Sequence, residues 1–208
     1  VGKWIWIAIL ALNIYYTGWW IHQAHKGGFF QAGQMNRTYF LNVVGRINPD
    51  RDLFKLLETN EYFKGTPQSV NTVFQNDFEQ DTAFCSTAWP SGGKATCLNG
   101  ENQFFGPITL LVTANCAPWI RVEADFLVQS REWDVWKYAQ WIVQFYQGEK
   151  AIKTNFIRIQ RHLPVDQVST HLFFDVRVPS EPYDRCTMSI WNAESPQTLL
   201  MDNLKVSC

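Results

Sequence analysis

Strong charge of either sign is missing from this sequence. Its 208 residues carry 18 Lys and Arg against 19 Asp and Glu, a formal net charge of -1. Without a basic excess nothing points to a nucleic-acid partner. There is no Cys-x-x-Cys and no Cys/His cluster with zinc spacing, which removes the common structural zinc folds. There is no Gly-x-Ser-x-Gly, and the four His have no evident triad partners, which removes the usual serine-hydrolase signatures. His22 and His25, three apart, lack a third ligand and read as interfacial polar residues. An initiator Met is also lacking. The start at Val1-Gly2-Lys3 is expected to be the edge of a piece of a longer protein, with Trp4–Ile21 as the last span of a multi-pass region.

Charge is absent from Trp4–Ile21 altogether, WIWIAILALNIYYTGWWI, which only Asn13, Thr17 and Gly18 interrupt. As a helix this run reaches about 27 Å, close to the roughly 30 Å of a bilayer's hydrocarbon. Trp4, Trp6, Trp19 and Trp20 sit at its ends, where amphipathic rings favour the headgroup level. The reading is a transmembrane helix with flanks over residues 1–26 and a lipid bilayer as partner. Lys3 before the span places the rest of the chain on the extracytoplasmic side, periplasm or cell surface. Five Cys suit such an oxidising compartment.

Residues 27–69 read as a polar connector. It holds a sequon at Asn36-Arg37-Thr38 and a short helix near 50–58, capped by Asp50 or Asp52 and carrying Leu53, Phe54, Leu56 and Leu57. From residue 70 to 208 the apolar period becomes two, the strand signal. Strands are expected over Val73–Phe78, Pro107–Thr113, Trp119–Gln129, Lys137–Gln147, Ala151–Arg161 and Val168–Val178. Arg185–Asn192 and Thr198–Val206 are expected to form a last hairpin. Ile120, Val122, Ala124 and Phe126 share one face of their strand; Ala139, Trp141, Val143 and Phe145 share one face of another. About eight strands without helical periodicity predict a mainly β fold, an antiparallel β-sandwich. Cys85 and Cys97 flank the centre of a Pro- and Gly-rich loop over 82–103 and are expected to close it as a disulfide. Cys186 and Cys208 face one another across the expected last hairpin as a second disulfide, which leaves Cys116 odd.

Three stretches resemble jelly-roll carbohydrate-binding modules of the galactose-binding-like kind. Asn76-Asp77-Phe78-Glu79 is similar to their N-x-F-E opening. Cys186–Cys208 is similar to their closing hairpin, and YAQWIVQFYQGEKAI to their central strand and Gly turn. The resemblance spans about Thr72–Cys208 and implies a jelly-roll sandwich. It also implies a structural calcium joining first and last strands, held by Glu79 and Asp202 with Asp77. The alternative for these three acids is solvated surface carboxylates.

The outward positions of the middle strands mix aromatic rings with planar polar groups, which suits sugar rings and their hydroxyls. Trp119, Tyr138 and Trp191 are the expected stacking residues. Arg121, Gln140, Gln144, His171 and Asp175 are the expected polar contacts, with Glu123 beside them. Catalysis is not expected. Glu123 and Asp125 resemble the start of the E-x-D-x-x-E motif of laminarinase-like jelly rolls, but Val128 stands where the third carboxylate belongs, and Glu132 and Asp134 offer no better pair. The expected function is a membrane-anchored, non-catalytic, carbohydrate-binding sandwich with a glycan partner. The alternative is an accessory subunit of a membrane complex, docking through the sandwich and packing its span on other subunits.

Overall fold

The computed structural model describes residues 2–25, 59–61, 63, 71–80, 86–112, 118–130, 137–163 and 165–208, with side chains from Trp19 to His25 left aside. The helix expected near 50–58, the sequon, Cys85, Cys116, Glu132 and Asp134 lie outside these residues, as do the side chains of His22 and His25. The chain divides into two compact units, Val1–Val44 and Gly45–Cys208.

In the first unit, α1 runs Gly2–His25, a helix of 24 residues. Its side chains point outward on every side, with Trp4 at 75% and Leu10 at 62% exposure. Among the described residues no helix is long and apolar enough to cross a membrane. Asn13 Nδ2 donates back to Ile9 O at 2.9 Å within the same helix.

The second unit is an antiparallel β-sandwich with ten strands among the described residues: β1 Thr72–Asn76, β2 Ser86–Ala88, β3 Lys94–Leu98, β4 Phe104–Leu110, β5 Trp119–Val128, β6 Gln140–Gln147, β7 Lys150–Arg158, β8 Thr170–Arg177, β9 Arg185–Trp191 and β10 Leu199–Ser207. A four-residue helix, α2, spans Ile159–His162 after β7. One sheet runs β2-β3-β10-β5-β8, with β1 sharing β10's edge with β3; the other runs β4-β9-β6-β7. The period-two pattern does what it promises. Ile120, Val122, Ala124 and Phe126 from the first sheet meet Ala139, Trp141, Val143 and Phe145 from the second in one buried core. Trp141 lies edge-on to Phe126, ring centres 5.0 Å apart, and 6.3 Å from Phe174.

Several boundaries differ from the expectation. The 82–103 loop contains the β2–β3 hairpin, and β7 ends at Arg158 where α2 begins. The expected last hairpin does not exist: β9 and β10 belong to opposite sheets. An arch joins them, with Ala193 and Glu194 at positive φ and Asn192 Nδ2 donating to Ser195 O and Gln197 O. The Cys186–Cys208 pairing fails for the same reason. Cys186 faces the core from β9 as a free thiol, while Cys208 is disulfide-bonded. Cys97 is also disulfide-bonded.

Across the sandwich's open side, residues 59–61 tie the two sheet edges together. Thr59 N donates to Phe156 O at 3.2 Å and Thr59 Oγ1 accepts from Phe156 N at 2.6 Å, both on edge strand β7. Glu61 N then donates to Asp175 O at 3.0 Å on edge strand β8, and Asn60 Oδ1 accepts from Asp175 N at 3.1 Å. Exposed sheet edges invite pairing with other chains, and this strap covers two of them.

Burial pushes the Cys186 thiol up to about 12. Only the thiolate is nucleophilic. The native protein is therefore expected to show no reaction of Cys186 with a thiol reagent at pH 8, and to release this thiol in denaturant. Peptide mapping after labelling checks it; rapid native labelling at Cys186 would contradict the packing.

Candidate functional site

The sandwich has two outer faces, and the residues singled out from the sequence fall on both. Trp119, Arg121, Glu123, His171 and Asp175 lie on β5 and β8 of the larger sheet. Gln140, Gln144 and Trp191 lie on β6 and β9 of the smaller. They do not form one site. Tyr138 stands apart from both, because it is buried at 4% exposure just before β6.

The face of the larger sheet is occupied by its own contacts. Arg121 Nε and Nη2 donate to Asp175 Oδ1 and Oδ2 at 2.7 and 2.9 Å, and its guanidinium lies 4.4 Å from the centre of the Phe173 ring. The paired carboxylate holds Arg121 above its ordinary value, against a smaller opposing effect of burial. Asp175 Oδ2 also accepts from Phe63 N at 2.9 Å, and Phe63 packs on Trp119 with ring centres 5.5 Å apart. Asp175 is thus 1% exposed, with its carboxylate taken up by Arg121 and the Phe63 N–H. Further along, Lys205 Nζ lies 3.1 Å from Glu123 Oε1 and His171 Nδ1 2.9 Å from Asp125 Oδ1. Asn203 Nδ2 donates to Asp125 Oδ2 at 2.9 Å.

The acids expected to hold calcium lie near enough at one end of this sheet for their charges to act on one another. Burial raises the Asp202 carboxyl above its ordinary value, and the charges of Asp125, Glu79 and Asp77 add to this, outweighing the Asn203 N–H that favours the anion. Each acid has a backbone donor of its own. Glu79 Oε1 accepts from Lys94 N at 3.0 Å, Asp77 Oδ1 from Glu79 N at 3.3 Å and Asp202 Oδ1 from Asn203 N at 2.7 Å. Calcium wants six to eight converging oxygens, and among the described residues no group of three or more Asp, Glu, His or Cys converges to hold a metal.

The smaller sheet presents a different surface. Residues opposite one another across antiparallel strands share a face, so register alone defines its rows. Phe104, Trp191, Gln140 and Arg158 make the first row, and Ser189, Ile142 and Phe156 the second. Thr109, Thr187, Gln144 and Thr154 make the third, and Arg185 and Tyr146 the fourth. Phe104 and Trp191 are parallel within 9°, ring centres 6.2 Å apart, and Phe104 is 62% exposed. β4 reaches this alignment through a bulge at Gly106, whose φ is +86 and where a Cβ would lie 2.8 Å from Met188 O, leaving no room for a side chain. Gln144 is held in place, accepting from Tyr146 OH at 2.8 Å and donating to Thr154 Oγ1 at 3.2 Å. The sequence reading missed Phe104, because its strand was expected to begin only at Pro107; the preceding Phe104-Phe105 pair was the available signal.

If Asp175 is a structural clasp, removing it should cost more than removing its partner. Asp175→Ala strands Phe63 N–H and a guanidinium, and is expected to cost about 2–3 kcal/mol. Arg121→Ala is expected to cost clearly less, since that side chain is 40% exposed and water replaces its bonds. Urea denaturation of both variants checks the order, and equal small effects would show that the clasp does not hold the segment.

No family model and no curated protein matches the chain. Among solved structures it is similar to a family 16 carbohydrate binding module, with 16% identity, TM-score 0.41, and coverage of 61% of this chain and 87% of that one. It is similar to the CBM22-1 xylan-binding domain from Paenibacillus barcinonensis, with 12% identity, TM-score 0.40, and coverage of 68% and 96%. The C-terminal CBM6 of a marine laminarinase from Zobellia galactanivorans aligns with 10% identity, TM-score 0.34, and coverage of 67% and 100%. All three scores lie below 0.5, so the sandwich rests on the strand order and register described above.

Proposed function

We propose that this chain is a non-catalytic glycan-binding β-sandwich whose binding face is the outer face of β4-β9-β6-β7. One observation carries the reading. The parallel Phe104–Trp191 shelf lies in register with Gln140, with the pinned Gln144 two rows along. Aromatic faces take the CH face of a sugar ring, and planar amides take its hydroxyls. The strand positions of this face carry no Asp or Glu, whereas glycoside hydrolysis uses a pair of carboxylates. The face therefore suits binding without bond cleavage. An oxidising, extracytoplasmic location belongs to the same proposal and is supported by the disulfides at Cys97 and Cys208.

A second reading, an accessory subunit of a larger assembly, is favoured by α1. A helix apolar on every side is ordinarily covered by another apolar body, and α1 exposes Trp4, Leu10 and Ile14 at once.

The test uses the whole chain and a panel of plant, algal and microbial polysaccharides in affinity electrophoresis, followed by calorimetry on any hit. The Phe104→Ala, Trp191→Ala double variant is expected to lose at least tenfold in affinity, about 1.4 kcal/mol. Trp119→Ala, on the opposite face, is expected to bind as the parent does. A parent that binds no glycan, or a double variant that binds undiminished, sinks the reading and moves it to the subunit.

A further inference from the structure

Resting on that reading, the geometry points to a ligand class: we infer that the face selects glycans bearing an anionic group, read by Arg185. This arginine starts β9 directly opposite Tyr146 on the same outer face, and its guanidinium lies 4.5 Å from the centre of the Tyr146 ring. Stacking holds the planar fork in place before any ligand arrives. Its Nε is buried and has no hydrogen-bond partner among the described residues. It enters no ion pair among them either. A buried donor on a charged group without an acceptor is costly, so such groups are ordinarily paired. The nearest acid in sequence, Asp184, spends Oδ2 on Gly148 N at 2.6 Å.

The rest of the face agrees. Its register positions hold no Asp or Glu that would repel an anion or compensate the arginine from within. Arg185 also lies six residues along β6 from the row of the aromatic shelf, or about 20 Å at the strand rise. That separation places the charge contact on a different sugar unit from the one stacked at Trp191. The ligand is then an oligomer several units long, with an aromatic contact at one end and a carboxylate or sulfate at the other. Both anions present the paired oxygens that a guanidinium fork takes in bidentate fashion.

The experiment compares the whole chain with Arg185→Gln and Arg185→Lys, after matched melting curves show that all three are folded. The probes are polygalacturonate as the carboxylated polymer, dextran sulfate as the sulfated one, and dextran and xylan as neutral ones. Binding to one of the anionic polymers is expected to exceed binding to the neutral ones and to weaken as salt rises. Arg185→Gln should lose about tenfold or more on that polymer, with Arg185→Lys falling between. Whichever anionic polymer responds identifies carboxylate or sulfate. Neutral polymers bound as tightly, with no effect of Arg185→Gln, would overturn the anionic preference and leave the glycan reading standing. Anionic binding that Arg185→Gln does not alter would mean diffuse charge attraction and would overturn the role of Arg185. Binding to none of these polymers, nor to any on the wider panel, would remove both readings.

Discussion

Trp141 between Phe126 and Phe174 is the contact on which the molecule is organised. It joins β6 of one sheet to β5 and β8 of the other. The indole N–H is buried without a hydrogen-bond partner among the described residues, which costs about 1–3 kcal/mol. Burying a ring of about 200 Å² at about 25 cal/mol/Å² contributes roughly 5 kcal/mol, so apolar burial wins. Once Trp141 points inward, strand geometry turns Gln140 and Ile142 outward. The binding face is a consequence of the core.

The two outer faces have the same alternating origin and opposite fates. On β5 and β8 the outward side chains are mutually satisfied. Arg121 finds Asp175, Glu123 finds Lys205, Asp125 finds His171 and Asn203, and the Asn60–Phe63 segment lies against the remainder. On β6 and β9 the hydrogen bonds run within the sheet and position Gln144 without covering it with a counter-charge. A face whose charges cancel internally has little left to offer a ligand. A face with a stacked arginine that has no ion pair among the described residues, and with an exposed aromatic shelf, retains that capacity.

Much of the fold was legible from the period of apolar residues, and the failures share one cause. Alternation says which residues point inward along β5, β6 and β8, and their burial agrees. It does not say to which sheet a strand belongs. Adjacent strands were therefore read as a hairpin where β9 and β10 face each other across the core. The arch between them turns at Ala193 and Glu194 without the glycine that ordinarily marks positive φ. The same blindness merged two opposite surfaces into one candidate site. The hairpin of β2 and β3 escaped notice because strands of three and five residues carry too few repeats to show a period. Asn60 and Glu61 look like any polar connector; their backbone partners at Asp175 and Arg177 lie more than a hundred residues later in the sequence.

Helix α1 shows a related limit. Absence of charge and end placement of tryptophan are shared by membrane spans and by helices that sit against other apolar surfaces. Aromatic residues with polar tips raise apolar area without raising hydropathy in proportion. Tyr15 and Tyr16 stand edge to face within the helix, ring centres 6.2 Å apart, and Asn13 bonds its own backbone. These residues offer directional contacts along the helix. Directional contacts select a packing partner with matching groups, whereas an aliphatic surface would accept any hydrocarbon. The same composition would give a protein–protein contact of α1 its specificity.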